Sequence, residues 1–246
     1  MRYRRGLSDK ALKLWVEGSI PKLLLLPILD CIPDDPCALD LQLRERGVLQ
    51  VYHGNTSILR IATNELGNTF QLQFDAYDSV VKELWPSLRR EWTIDEVVEL
   101  SERLRETLLV LVARTGQPYY RNKKEGFWEN QLCCSYGRSW TPKKEWLILD
   151  RQAVIGFASA TDRTKFYEPI VKRHTAARQL LFEKQGRKWA QPKSIGNELD
   201  LLVVNQEREV VCMELKHESN SDGIYYGPFQ AAVYRDAFLA GPLRIQ

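Results

Sequence analysis

The sequence predicts a mixed α and β protein in two parts, an α+β domain over residues 1–118 and an α/β domain over residues 119–246. Three observations favour this class. Apolar and polar residues alternate over 69–76, as in a half-buried strand. A capped apolar helix begins at Thr93. Two strand-like runs over 198–204 and 209–216 flank a polar turn, which predicts a hairpin.

Composition excludes several classes of protein. The 246 residues are 44% hydrophobic and include 7 Trp, 10 Tyr and 8 Phe, so a wholly disordered chain is excluded. The most apolar run, 20–29, is too short to span a membrane and contains Pro21, Lys22 and Pro27. The N-terminus lacks the features of a signal peptide. Five scattered cysteines without a C-x-x-C spacing predict reduced thiols in a cytoplasmic protein.

The N-terminal part contains helix and strand signals in turn. We expect a short amphipathic helix over 7–17, a loop over 31–36, and a strand meander or hairpin over 47–63 and 69–76. Thr93 and Glu96 are spaced as a capping box, and the helix that follows runs to about Ala113. The Gly, Pro and basic residues of 116–125 mark the domain boundary. Net charge also changes sign there, from −2 before it to +5 after it.

The C-terminal part predicts further elements around the hairpin. Residues 127–134 favour a helix, 146–157 a strand, and 161–184 a long helix that ends near Gly186. A short strand is expected over 188–191, before Pro192.

Charged residues interrupt the apolar strands of the hairpin. If the turn is centred near Glu207, Asp200 lies opposite Glu214 and Glu198 lies opposite Lys216, and all four side chains share one face. The other face is expected to be core, formed by Leu199, Leu201, Val203, Val211, Met213 and Leu215.

Two carboxylates on one face with an ammonium nearby favour a site for a hard divalent cation. Asp200, Glu214, the carbonyl of Leu215 and water would supply oxygen ligands. Lys216 would hold an attacking water or stabilise a pentacovalent phosphate. At least one of the facing carboxyls should have a raised pKa without metal. The alternative is an exposed ion-pair stripe on the wet face of a sheet, and the hairpin alone does not decide between the two.

Asp200, followed by Glu214-Leu215-Lys216 on the next strand, resembles the core motif of the PD-(D/E)XK superfamily, the restriction-endonuclease-like nucleases. Leu199 stands where the family name has proline. The resemblance covers about residues 160–240 and implies an α/β core with a mixed central sheet flanked by helices. It implies catalytic roles for Asp200, Glu214 and Lys216, with Mg²⁺ or Mn²⁺ as cofactor.

The resemblance also implies residues outside the hairpin. Gln230 and Tyr234, four residues apart on one helix face, match a Q-x-x-x-Y element that borders the active site or nucleic acid in several branches. The alternative for both is ordinary helix packing. The helix before the hairpin often carries a further acid, for which Glu168 is the candidate and Glu129 the alternative.

Basic residues cluster between the long helix and the hairpin. In a nuclease they would contact the phosphate backbone, and otherwise they form the solvated side of a helix. The set comprises Lys172, Arg173, Arg178, Lys184, Arg187, Lys188 and Lys193.

The sequence therefore predicts a divalent-metal-dependent nuclease that acts on nucleic acid, with DNA favoured over RNA, and does not bind a membrane. The N-terminal domain would bind substrate, a protein partner or a second copy of the chain. The alternative is a nuclease fold retained as a binding or assembly module in a nucleic-acid-processing or defence complex, with idle acids. A fold unrelated to the nucleases also remains open.

Overall fold

The computed structural model describes residues 2–3, 15, 21–32, 34–44, 48–64, 68–74, 77–89, 91–115, 120, 122–137, 144–185 and 198–240. The protein is mixed α/β, as predicted. Its strands are β1 (Arg2–Tyr3), β2 (Asp40–Arg44), β3 (Val48–His53), β4 (Thr56–Thr63), β5 (Thr69–Gln73), β6 (Glu91–Thr93), β7 (Trp146–Ala153), β8 (Ile155–Gly156), β9 (Leu199–Asn205) and β10 (Val210–Met213). Its α-helices are α1 (Leu26–Leu29), α2 (Asp78–Leu84), α3 (Val97–Thr115), α4 (Glu125–Gly137), α5 (Ala160–Gln185) and α6 (Ser221–Ala240).

The chain divides into two compact units, one of Arg5–Ser135 and one of Met1–Arg4 with Tyr136–Gln246. This division falls later than the predicted boundary at 118/119. Helix α3 ends at Thr115 and α4 begins at Glu125, and residues 116–119 and 121 lie outside the described residues. The assignment of separate roles to residues 1–118 and 119–246 stays a prediction.

The first unit is built on an antiparallel five-stranded meander in the order β2-β3-β4-β5-β6. The predicted run over 47–63 is itself a hairpin, because Gly54 takes a positive φ and turns the chain between β3 and β4. Strands β2 and β6 were not predicted. The apolar face of the sheet and α3 contribute to one core, which also includes Trp15. The rest of the predicted helix over 7–17 lies outside the described residues.

Helix α3 is preceded by the capping box that the sequence predicts, and a 3₁₀ turn over Ile94–Glu96 lies between Thr93 and the first α-helical residue, Val97. The Thr93 backbone N–H and hydroxyl both donate to Glu96, at 2.9 and 3.0 Å, which forms the capping box. The hydrogen bonds from Thr93 lower the pKa of Glu96, with the Arg89 guanidinium acting the same way. Leu109, in the apolar second half of this helix, is exposed.

Cys37 and Cys134 are joined in a disulfide. The prediction that all five cysteines are reduced is therefore wrong for this pair, although Cys31, Cys133 and Cys212 take no part in a disulfide. The bridge spans 97 residues of sequence, so only the tertiary structure brings the two thiols together. The cytoplasmic location, which was partly argued from reduced thiols, stays a prediction.

The second unit contains a three-stranded antiparallel sheet in the order β10-β9-β7, together with the short β1–β8 pair. Helix α6 packs against β10 and α5. The core of this unit joins Leu199 and Leu202 of β9 to Val233, Tyr234 and Phe238 of α6. Within the described residues, no helix is long and apolar enough to cross a membrane.

The central strand β9 has β7 as its second neighbour. Strand β7 precedes the long helix α5, whereas the family resemblance places a short strand between that helix and the strand carrying Asp200. The candidate for that short strand, 188–191, lies outside the described residues. The specific restriction-endonuclease-like core therefore stays a prediction.

Candidate metal and catalytic site

The hairpin that carries the candidate site has the predicted register. Strand β9 pairs with β10 from Val204 opposite Val210 to Leu201 opposite Met213. Asp200 and Glu214 are the next residues beyond this last pair, so both side chains lie at one end of the ladder. Leu199, Leu201 and Val203 are fully buried, but Val211, Met213 and Leu215 are only half-buried. The prediction that this whole face is buried core is therefore wrong for its residues on and just after β10.

The ladder ends where the acids begin. Strand β10 stops at Met213, although the sequence predicts a strand to Lys216. The Leu215 backbone N–H donates to Asp200 Oδ2 at 2.8 Å. Because a side-chain carboxylate accepts this N–H, the chain leaves the ladder and turns the carbonyl of Leu215 towards Lys216.

Lys216 connects the candidate ligands. Its Nζ donates to Glu214 Oε2 at 2.9 Å, to the Leu215 carbonyl at 2.9 Å and to Asp200 Oδ2 at 3.4 Å. Three oxygens thus converge on one cationic group, and they are the donors that the sequence assigns to a metal. The structure brings together Asp200, Glu214, Leu215 and Lys216.

Glu214 is the buried member of the pair. Its side chain is 2% exposed, whereas that of Asp200 is 32% exposed. Burial and then the charge of Asp200 raise the pKa of Glu214 to about 8, although Lys216 acts in the opposite direction. The expectation that one facing carboxyl has a raised pKa is confirmed, with burial as the larger cause.

Glu214 Oε1 is a buried polar atom without a hydrogen-bond partner within the described part of the chain. The hydroxyl of Tyr234 is also buried and lies beside Gln230, whose side-chain hydrogen bond acts to lower the pKa of the phenol. Burial and then the charge of Glu214 raise the pKa of Tyr234 well above its ordinary value, which places the phenol near the acids. Buried polar atoms without partners are rare, and at a site of this kind they indicate room for water or an ion.

Helix α6 places Tyr234 and also packs on Lys216. Asn220 caps the helix, because its Oδ1 accepts from the Gly223 N–H at 2.9 Å. A Cβ at Gly227 would lie 3.3 Å from Lys216 Cγ, so this glycine leaves space for the lysine stem. Gln230 is half-buried one turn before Tyr234, as the spacing predicts.

The donor set fits a divalent cation that keeps much of its water. Glu214 Oε1 is unpaired, Asp200 is partly exposed, and carboxylate and carbonyl oxygens suit Mg²⁺ and Mn²⁺. Among the described residues, no group of three or more His, Cys, Asp or Glu side chains could hold a metal ion. An ion here would therefore have two protein carboxylates and would complete its shell with water.

The other predicted acids and basic residues lie on α4, on α5 or outside the described residues. Glu168 is exposed on α5, because Tyr167 and Ile170 are the residues of that turn which contribute to the core. Glu129 is buried in α4, within the first unit. Lys172 and Arg173 are exposed on α5. Arg187 and Lys188 lie outside the described residues.

The structure adds an ionic cluster that the sequence analysis missed. Asp236 of α6 accepts hydrogen bonds from Arg173 and His174 of α5 and from Arg235. No local spacing reveals it, since the two helices are far apart in sequence. A further buried acid, Asp150, pairs with Leu202 across the sheet.

Comparison of the chain with protein-family models, curated proteins and solved structures gives no match.

Proposed function

We propose that this chain is a divalent-metal-dependent nuclease with a restriction-endonuclease-like core in its C-terminal part, and that its substrate is DNA rather than RNA. One observation carries the proposal. At the end of a buried antiparallel ladder, two carboxylates and a lysine ammonium converge, and the more buried carboxylate keeps one oxygen unpaired. A stripe of exposed ion pairs would not bury Glu214 to 2% exposure.

Asp200, Glu214 and the Leu215 carbonyl would hold Mg²⁺ or Mn²⁺. When bound, the cation supplies charge stabilisation at the phosphoryl oxygens. Asp200, the more exposed acid, would face the substrate, and Glu214 would hold the ion from below. Because Glu214 has a raised pKa, it must lose its proton before it serves as a ligand, so the site should fill more readily as pH rises.

Lys216 would orient the attacking water and stabilise the charge that develops on the phosphate. Its ammonium is half-buried and is already held by three oxygens, so its position is fixed before substrate arrives. An ammonium fixed in this way costs little reorganisation during the reaction. Tyr234 and Gln230 would line the side of the site formed by α6.

Nucleic acid as the substrate class is supported by the excess of positive charge beyond residue 118 and by exposed Lys172 and Arg173. Arg187 and Lys188 complete the predicted basic set. The first unit would bind substrate, a protein partner or a second copy of the chain. We place this activity in the cytoplasm.

A second candidate is a binding or assembly module of the same fold with idle acids. The observation that favours it is that the Lys216 ammonium already pairs with one oxygen of each carboxylate. In that case the ammonium acts as a permanent counter-ion, and the chain binds nucleic acid without cutting it.

A panel of nucleic acids tests the proposal. Supercoiled plasmid, duplex DNA, single-stranded DNA and RNA are incubated with wild type in Mg²⁺, Mn²⁺ or EDTA. Asp200→Ala, purified identically, controls for contaminating nuclease. We expect wild type to cut DNA only with a divalent cation. Binding without cleavage under any metal would favour the module, and neither binding nor cleavage would contradict the substrate class.

A further inference from the structure

Asp236 accepts hydrogen bonds from three basic side chains that belong to two helices. Its Oδ1 accepts from Arg235 Nε at 3.0 Å and from Arg235 Nη2 at 2.7 Å. Its Oδ2 accepts from Arg173 Nη2 at 2.5 Å and from His174 Nε2 at 3.0 Å. Burial acts to raise the pKa of Asp236, but the hydrogen bonds from Arg235 and His174 and the two guanidinium charges hold it below its ordinary value. One ionised carboxylate therefore orients two arginines.

The charges of this cluster are arranged with the cations outward. The Asp236 side chain is 14% exposed, whereas those of Arg173 and Arg235 are 66% and 62% exposed. Two guanidiniums against one carboxylate leave an excess of positive charge on the solvent side. In the part of the chain that the structure describes, neither guanidinium forms an ion pair with a second acid.

A connection between helices α5 and α6 does not by itself explain why Arg235 bonds to Asp236. Arg173 and His174 already connect α5 to α6 through Asp236. Arg235 is the chain neighbour of Asp236 and adds no connection between the helices. Its bond to Asp236 instead fixes a guanidinium at the surface beside Arg173. Planar guanidiniums bind phosphate oxygens bidentately, and arginines ordered in advance lose less conformational entropy on binding.

The cluster also shares helix α6 with Tyr234, which belongs to the core that includes Leu199, the chain neighbour of the candidate ligand Asp200. Arg235 is the residue that follows Tyr234. We propose that Arg173 and Arg235, held by Asp236, form a binding site for a backbone phosphate of nucleic acid, outside the site at which cleavage occurs. This inference rests on the proposed function, because it assigns a second contact to the same substrate.

The test measures binding without cleavage. Fluorescence anisotropy of labelled duplex DNA in EDTA is recorded from about 50 to 200 mM salt for wild type and Arg173→Gln/Arg235→Gln. Loss of this one phosphate contact should make the slope of log affinity against log salt shallower by about 0.9, and lower affinity at 0.1 M salt on the order of 8-fold. Lys165→Gln/Arg208→Gln removes the same charge from exposed positions of the same unit and should change both quantities much less.

A second variant keeps the test decisive if the glutamine pair lowers thermal stability. Arg173→Lys/Arg235→Lys retains charge but loses the planar fork, so affinity should fall while the salt slope stays near that of wild type. Glutamine variants that behave like the control, or lysine variants with wild-type affinity, would overturn this inference while leaving the nuclease proposal intact. If wild type itself neither binds nor cuts any nucleic acid, the proposed function fails as well.

Discussion

Replacing Lys216 by alanine is expected to lower divalent-dependent cleavage by about 10³-fold or more and to leave nucleic-acid binding nearly unchanged. The ammonium lies 2.9 Å from Glu214 and 3.4 Å from Asp200, where the attacking water and the reacting phosphate would meet. Its removal takes away a fixed donor and a fixed charge, and both act mainly on the transition state. Single-turnover cleavage together with anisotropy separates the two effects.

Two variants control the Lys216 experiment. Lys165→Ala removes an exposed lysine of α5 and should cut at the wild-type rate. Lys216→Arg keeps the charge, but its larger head group must fit beside Gly227, so we expect partial activity. A Lys216→Ala protein that unfolds normally and cuts within a few-fold of wild type would contradict the catalytic role.

Replacing Glu214 by glutamine is expected to remove a pH-dependent loss of stability. Burial and Asp200 raise the pKa of Glu214 from 4.5 to about 8, so between these values the folded protein holds a proton that the unfolded chain has lost. The free energy of unfolding of wild type in EDTA should therefore fall as pH rises through this window. Each pH unit of separation between the folded and unfolded pKa corresponds to about 1.4 kcal/mol, or roughly 3–6 °C in melting temperature.

Thermal unfolding in EDTA from below pH 5 to above pH 8 measures this effect. Glu214→Gln should show a flatter dependence of stability on pH. Glu207→Gln replaces an exposed acid in the hairpin turn and should follow wild type.

Asp200→Asn removes the charge that faces Glu214 and can still accept from the Leu215 N–H, so its stability should be unchanged or higher. A clear loss of stability in Asp200→Asn would show that this acid is structural.

The local features were predictable because they depend on nearby residues. The hairpin register follows from strand alternation, since a slip by one residue would expose Leu199, Leu201 and Val203. The Thr93–Glu96 capping box needs only a spacing of three. Both are short-range constraints, and both are present as predicted.

The remaining features depend on tertiary contacts, which the spacing of residues within one segment of the sequence does not predict. The Cys37–Cys134 bridge and the Asp236 cluster join segments far apart in the chain. Strand β10 ends at Met213 because the Leu215 N–H donates to the Asp200 carboxylate. This side-chain acceptor competes with the backbone hydrogen bonds of the β9–β10 pairing. Glu168 is exposed because neighbouring apolar residues of α5 turn towards the core instead.

Titration of Mn²⁺ into wild type and Asp200→Ala by calorimetry tests the central claim most directly, with Glu207→Ala as the matched control. We predict that wild type and the control bind a divalent cation more tightly as pH approaches 8, because Glu214 must lose its proton. Asp200→Ala should bind at least about tenfold more weakly, since it loses one of two carboxylate ligands. Equal affinity in all three proteins, or no binding to wild type, would contradict a metal site at Asp200 and Glu214.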